Sequence, residues 1–320
     1  MRDSRTGTRQ GLLVARDAAC SAQTGALFMP KIFECVPNIS EGRRSDVITS
    51  LGQIVSSTPG VALVDTQSDA SHNRSVFTFV GTGDGVVEAA LRLAGAAVEH
   101  IDLRTHRGEH PRMGAVDVIP FIPLGDSTME DAVLLARRCA QGMWERFRVP
   151  SYFYEHAATR PERRDLAAVR RGQFEGLLTA VAEPQRRPDV GEPQLHPSAG
   201  CVAVGARDFL VAYNVDLRSS DLKLAERIAL LVRQRSGGLA GIKALGFELS
   251  PTEVQVSMNV VDLKAAPLYR VTELIRAEAA SAGVDVARCE LVGLAPLAAI
   301  AEAAAYYLHL DGISSAQVTW

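Results

Sequence analysis

One order of hydrophobic periodicities occurs twice along this chain, and it constrains the fold more than any other feature. From Lys31, "KIFECVP" reads as a strand, "RSDVITSLGQIVSST" has apolar residues at helical spacing, and "PGVALVDTQS" and "RSVFTFVGT" read as strands rich in β-branched and aromatic residues. A second helical pattern, "GDGVVEAALRLAGAAVEHI", and a further strand, "AVDVIPFIPL", complete βαββαβ by residue 124. The same order returns as "DFLVAYNVDL", "DLKLAERIALLVRQR", "GIKALGFELS", "TEVQVSMNVVDL", "LYRVTELIRAEAASAG" and "VARCELVGLAP". βαββαβ is the split βαβ arrangement. Its repetition predicts an α+β protein of two ferredoxin-like α/β-sandwich subdomains with a ligand cleft or tunnel between them.

Between the copies lie a threonine-capped helix, "TMEDAVLLARRCAQGMWERF", and a short strand, "PSYFYE", which reads as an appendage to the first sheet. Over residues 159–198 arginine, proline, glycine and acidic residues displace the periodicity, marking the connection between halves. The expected organisation is a disordered extension over 1–30, an N-terminal subdomain over 31–180, a connecting loop over 181–200 and a C-terminal subdomain over 201–320. Met29 directly precedes the first strand and is an alternative start of the folded chain.

The stretch "HRGEHPRMGA", 106–115, packs two histidines, two arginines and a glutamate into seven residues. His106 and His110 have the spacing of a helical metal pair, but Pro111 biases His110 toward extended geometry, and Gly108 and Gly114 punctuate both sides. The segment therefore reads as a loop. A loop histidine beside a carboxylate is a proton-transfer candidate, with Arg107 or Arg112 able to hold an anionic group. In "ECVPNISEGRR", Ser40 suits the cap of the following helix, while Asn38 and Glu41 fall at a strand's carboxyl end facing the expected cleft. In "DASHNRSVFTFVG", Asn73 suits a turn, leaving His72 and Arg74 to point at a ligand.

Composition rules out several classes. With 320 residues, 47% hydrophobic residues, 22% charged residues and a net charge of −3, the chain is an ordinary globular protein without the basic excess of a nucleic-acid binder. No uninterrupted apolar run approaches the roughly 20 residues that span a bilayer, so no membrane association is expected. The first thirty residues have no continuous apolar core of a signal peptide. Five scattered cysteines without C-x-x-C spacing indicate neither a zinc site nor a disulfide framework, and fit a reducing cytoplasm.

Taken together, "CVPNISEG", "SHNRSVFTFVG", "HRGEHPRMGAVDVIPFIPL", "GARDFLVAYNVDL", "QVSMNVVDL" and "CELVGLAP" resemble the formiminotransferase domain family, in its order and spacing, over nearly everything after residue 31. The resemblance implies transfer of the formimidoyl group of N-formimidoyl-L-glutamate to N5 of tetrahydrofolate, in histidine breakdown. It implies His110 as the catalytic general acid/base. It also implies a substrate- and folate-contacting loop formed by Gly191, Glu192, Pro193, Gln194, Leu195, His196, Pro197, Ser198, Ala199 and Gly200. It further implies tetrahydrofolate as co-substrate, no metal, and a homodimer. Many relatives carry an acidic residue two after Asp65, where this chain has Gln67, so Gln67 is given no proton-transfer role.

The chemistry suits these residue types. N5 attacks an amidine carbon, and the glutamate nitrogen must be protonated to leave, so one group near neutral pKa can take and return the proton. Glu41 is expected to hold the amidinium, and Arg74 and Arg112 the carboxylates. Two further readings stay open. One is a folate-binding enzyme with another one-carbon donor, such as 5-formyltetrahydrofolate; the other is a non-catalytic ferredoxin-like small-molecule-binding module.

Overall fold

The structure, a computed structural model, describes residues 30–109, 111–311 and 317. The expected extension over 1–30 lies outside them except for Pro30, which is exposed coil.

The first layered unit contains β1 (Ile32–Cys35), β2 (Asn38–Ile39), α1 (Ser45–Ser56), β3 (Val61–Asp69), β4 (Arg74–Thr82), α2 (Gly83–His100), β5 (Val116–Leu124), α3 (Met129–Phe147) and β6 (Ser151–Glu155). β1 and β2 run end to end as one strand between β4 and β5, broken at Val36 and Pro37 because proline has no N–H for the ladder. The carbonyl of Pro37 still accepts the N–H of Phe77 at 3.1 Å. Spatially the order is β3, β4, β1/β2, β5, all antiparallel. α2 packs between α1 and α3, and the three helices cover the sheet over the buried Phe77, Phe79 and Phe121. Burying each such ring contributes on the order of 2 kcal/mol. α3 starts as expected: the Thr128 hydroxyl accepts the Asp131 N–H, and Asp131 reciprocates on the Thr128 N–H.

Two short helices follow, α4 (Leu166–Val169) and α5 (Gln173–Ala180), and then a strand absent from the sequence reading, β7 (Val202–Ala206). β7 lies parallel to both β5 and β6 and joins them. β6 is thus appended to the first sheet, as expected, but only through β7. The expected boundary at 200/201 is corrected accordingly: Val202–Ala206 belongs to the first sheet. The strand escaped notice because "CVAVGA" is buried throughout and shows no alternation. The connection is not a loose linker either. Arg163 and Asp189, 5% and 7% exposed, form an ion pair at 2.5 Å that fastens it.

The second unit holds β8 (Val211–Leu217), α6 (Leu222–Val232), β9 (Ile242–Ser250), β10 (Glu253–Val260), α7 (Leu268–Ser281), β11 (Val286–Val292) and α8 (Leu297–Leu308). Its antiparallel order is β9, β10, β8, β11, the same as in the first four strands of the first unit. Val211, Tyr213, Val215 and Leu217 alternate toward α6 and α7 and build a second, separate core. The two units touch where the Gly293 N–H donates to Asp65 Oδ2 at 3.2 Å and where the His72 and Phe247 rings meet edge-on at 5.8 Å. Among the described residues no helix is long and apolar enough to cross a membrane.

Candidate active site

Three loops converge at one end of the first sheet, and Asn73 ties them together. In the β3–β4 turn it takes a left-handed backbone conformation with φ of 49°, which asparagine tolerates better than most residues. Its Oδ1 accepts the Gly42 N–H at 2.9 Å, its Nδ2 donates to the Arg107 carbonyl at 3.0 Å, and its own carbonyl lies 3.1 Å from His106 Nε2. Position 42 must be glycine, since a Cβ there would stand 2.2 Å from the Asp69 carbonyl oxygen.

In the first of these loops the helix-start role falls to the neighbour of the expected residue. Glu41, not Ser40, satisfies the backbone entering α1: its Oε1 accepts the N–H groups of Arg43 and Arg44, both at 2.9 Å, and its Oε2 pairs with Arg44 Nε at 2.5 Å. Burial raises the Glu41 pKa, but the bonds from Arg44 and Arg43 outweigh it and hold the carboxyl below its usual range. Both of its oxygens are therefore engaged at the start of α1. Ser40 instead donates to the Gly114 carbonyl at 2.7 Å. Asn38 is buried and donates to the Val36 carbonyl at 3.0 Å, bracing the strand break.

The histidine loop is braced from the connection between units. Arg112 donates to both oxygens of Glu175 in α5, at 2.8 and 2.7 Å, and its Nε donates to His106 Nδ1 at 3.2 Å. The Arg112 hydrogen bond is the main reason the Glu175 carboxyl falls to about 2. Because His106 Nδ1 accepts, the geometry puts its proton on Nε2, which donates to the Asn73 carbonyl. Burial lowers the His106 pKa. His106 is thus a neutral strut, and Arg112 is paired with Glu175 and His106 while it borders the small cavity below. Among the described residues no group of histidine, cysteine and carboxylate side chains could hold a metal ion. His110 itself lies outside the described residues.

Beneath these loops sits a small cavity, about 10 Å3 and so room for one water-sized group, bordered by Ser40, Asn73, Arg74, His106 and Asp117. Arg74 is held below the ordinary arginine range, at about 10, by burial and then by the nearby Arg170. Arg170, from the end of α4, brings its guanidinium within 2.5 Å of Asp117 Oδ2, but the N–H groups are not aligned as hydrogen bonds. Asp117 Oδ2 and the Nε atoms of Arg74 and Arg170 are sealed from solvent without a hydrogen-bond partner among the described residues. Asp117 Oδ1 accepts the Met113 N–H at 2.8 Å. His72 lies at the rim and pairs with Asp69 at 3.0 Å.

The segment 191–200 is anchored to the same loop at one end. The Ala199 carbonyl accepts the Ala115 N–H at 2.9 Å, the Ser198 carbonyl accepts the Leu103 N–H at 2.8 Å, and Cys201 N–H reaches the Met113 carbonyl. His196 closes a turn with Gly200 through reciprocal backbone bonds, and its Nδ1 accepts the Ala199 N–H at 3.0 Å. Gly191, Glu192, Pro193 and Gln194 are exposed, Pro197 is exposed, and Leu195, Ala199 and Gly200 are buried.

Sequence reasoning missed Asp117 and Arg170. A lone carboxylate inside the apolar run "AVDVIPFIPL" was a signal for Asp117, whereas Arg170 stands in an arginine-rich stretch that gives none.

Comparison with known proteins fits this geometry. Residues 32–207 match the family model described as "Formiminotransferase domain, N-terminal subdomain", and residues 212–317 match "Formiminotransferase domain". The chain is 46% identical over 284 residues to a protein named glutamate formimidoyltransferase from Streptococcus pyogenes serotype M1, covering 88% of this chain and 95% of that one. It is 44% identical over 290 residues to one of the same name from Thermoplasma acidophilum, covering 90% and 95%. A Gallus gallus protein named formimidoyltransferase-cyclodeaminase is 42% identical over 290 residues, which cover 88% of this chain and 53% of that protein.

Proposed function

The chain belongs to the formiminotransferase domain family, and from that premise we propose that it is a glutamate formimidoyltransferase, carrying the formimidoyl group of N-formimidoyl-L-glutamate to N5 of tetrahydrofolate. The observation that carries this reading is the match of both subdomains, end to end, with relatives of that name at 44 and 46% identity. We read the antiparallel part of each sheet, β3, β4, β1/β2, β5 in the first and β9, β10, β8, β11 in the second, as a ferredoxin-like half, with the ligands between halves.

In the reaction, N5 of tetrahydrofolate forms a bond to the amidine carbon and a tetrahedral intermediate results. His110 accepts the N5 proton and returns it to the glutamate nitrogen as the carbon–nitrogen bond breaks, releasing glutamate and 5-formimidoyltetrahydrofolate. The struts support this assignment by making His106 unsuitable for it: its ring is fixed and neutral, and both nitrogens are engaged. The segment 191–200 is the folate-contacting loop, its exposed edge 191–194 offered to the ligand and 198–200 fixed to the histidine loop. Free thiols at Cys35, Cys139, Cys201 and Cys289 support a reducing, cytoplasmic setting. Exposed Leu297, Tyr306, Tyr307 and Leu308 on α8 support a homodimer.

The test is release of glutamate from N-formimidoyl-L-glutamate, dependent on tetrahydrofolate, run beside the same protein with 5-formyltetrahydrofolate as donor and glutamate as acceptor. Turnover in the first assay well above the second is expected; the reverse would assign another donor.

A further inference from the structure

The side of β3 and β4 that carries no helices presents a carboxylate held by both units and, among the described residues, without an ion-pair partner. Asp65 stands opposite Thr78 across the ladder, and Thr78 lies between Phe77 and Phe79, which point into the helix-covered core. Asp65 is therefore on the side away from the helices. The second unit spans that side, because Gly293, just after β11, meets Asp65 and Phe247 of β9 meets His72, although β9 and β11 are opposite edges of their sheet. Two neutral donors fix the half-buried carboxylate: its Oδ2 accepts the Gly293 N–H at 3.2 Å and the Gln67 Nε2 at 3.1 Å. Its Oδ1 accepts no hydrogen bond from the described residues and is not sealed from solvent. By contrast, Asp69 on the same strand pairs with His72, and Asp216 on β8 accepts from Gln255 and Arg288.

We propose that Asp65 accepts the N–H groups of a bound amidine-type unit, nitrogen–carbon–nitrogen, with Gln67 and Gly293 positioning its carboxylate. A carboxylate with one oxygen fixed and the other open suits a ligand that brings N–H donors, and most of all a cationic one, since a charge-assisted hydrogen bond is roughly twice as strong as a neutral one. Because one of the two fixing donors comes from the second unit, the open oxygen is aimed only when the units are joined. The proposal rests on the transferase reading for the identity of the ligand. Two ligands of that reaction carry such a unit: the formimidoyl donor, whose protonated amidine is a cation, and the aminopyrimidine edge of tetrahydrofolate.

The informative variant is Asp65→Asn, which has the same shape, keeps a carbonyl oxygen for the Gly293 and Gln67 donors, and sets an NH2 group where the open oxygen stood. Once it is shown by circular dichroism to be folded, binding to it and to wild type is measured by calorimetry with three ligands: N-formimidoyl-L-glutamate, N-formyl-L-glutamate and tetrahydrofolate. The formyl compound has oxygen in place of the amidine's terminal nitrogen and so reports the glutamyl contacts alone. A loss of about tenfold or more for the formimidoyl compound, with N-formyl-L-glutamate held within about twofold, puts the donor's amidine on Asp65. The same loss for tetrahydrofolate, with both glutamate derivatives held, puts the aminopyrimidine there. Two results would overturn the proposal: all three ligands binding the variant as they bind wild type, or all three weakening together, which marks Asp65 as a clasp between units and nothing more. The titrations need no turnover, so the two readings fail separately. Wild type that binds neither donor nor tetrahydrofolate removes the transferase reading and this assignment with it, whereas normal wild-type binding with an unchanged variant removes the assignment alone.

Discussion

Arg112 and Glu175 meet fork to fork although 63 residues separate them in sequence, one on the histidine loop and the other in α5. The pair makes the loop's position depend on the connection between units. The Glu175 carboxylate is 59% exposed, so solvent screens it and the pair is worth no more than about 1 kcal/mol. The folded pKa, about 2, lies below the ordinary 4.5. The stabilisation is therefore complete above about pH 4.5 and disappears as pH falls toward 2. Urea melts of wild type and Glu175→Gln should differ at pH 6 and converge near pH 2; curves that stay apart at pH 2 would disprove the linkage.

Replacing His110 tests the chemistry itself. His110→Ala should lower kcat by about a hundredfold to ten-thousandfold while the Kd for tetrahydrofolate changes little. A folded variant that turns over within a few-fold of wild type would remove His110 from the mechanism.

The opposite behaviour is expected of His106. Its folded pKa is depressed below 6.5, chiefly by burial, so it favours the native state above pH 6.5 and opposes it as pH falls below that value. Nitrogen-15 spectra of the ring should show a neutral, Nε2-protonated imidazole at pH 6.5. Observation of an imidazolium, or of the Nδ1-protonated tautomer, would contradict the strut.

Gly114 is where the histidine loop passes the strand entering from segment 191–200. A Cβ there would stand 2.0 Å from the Cys201 carbonyl oxygen. Gly114→Ala should therefore cost about 3 kcal/mol or more, since the contact is backbone against backbone and no side chain can turn away. A midpoint of chemical unfolding within 0.5 kcal/mol of wild type (about the scatter of a surface change) would show that the two segments can part.

Much of the fold was legible where strands alternate between a helix-covered face and an opposite one; in β10, Val254, Val256, Met258 and Val260 are buried and the residues between them are not. β7 was not, because a strand flanked on both sides and buried on both faces has no period to read. In the site, the loops themselves could be read from glycine, proline and asparagine. What the charges do there could not. Ser40 and Glu41 are adjacent hydrogen-bonding residues, and only the path of the chain decides which reaches the α1 amides. Arg112 and Arg170 were beyond local reading for a different reason: their carboxylates, Glu175 and Asp117, stand 63 and 53 residues away, in other elements.

The placement of β7 has a consequence for biosynthesis. β6 leaves the ribosome before the whole connection, yet its strand partner, Val202–Ala206, follows that connection. Until residue 206 has emerged, β5 and β6 both wait with an open edge, and the nascent chain holds apolar strand surface that nothing yet pairs. Only four residues then separate β7 from β8. The natural point at which to divide this protein into fragments is therefore the short step between 206 and 211, and a fragment ended at 200 would carry an unsealed sheet edge and aggregate where one ended at 209 stays dispersed.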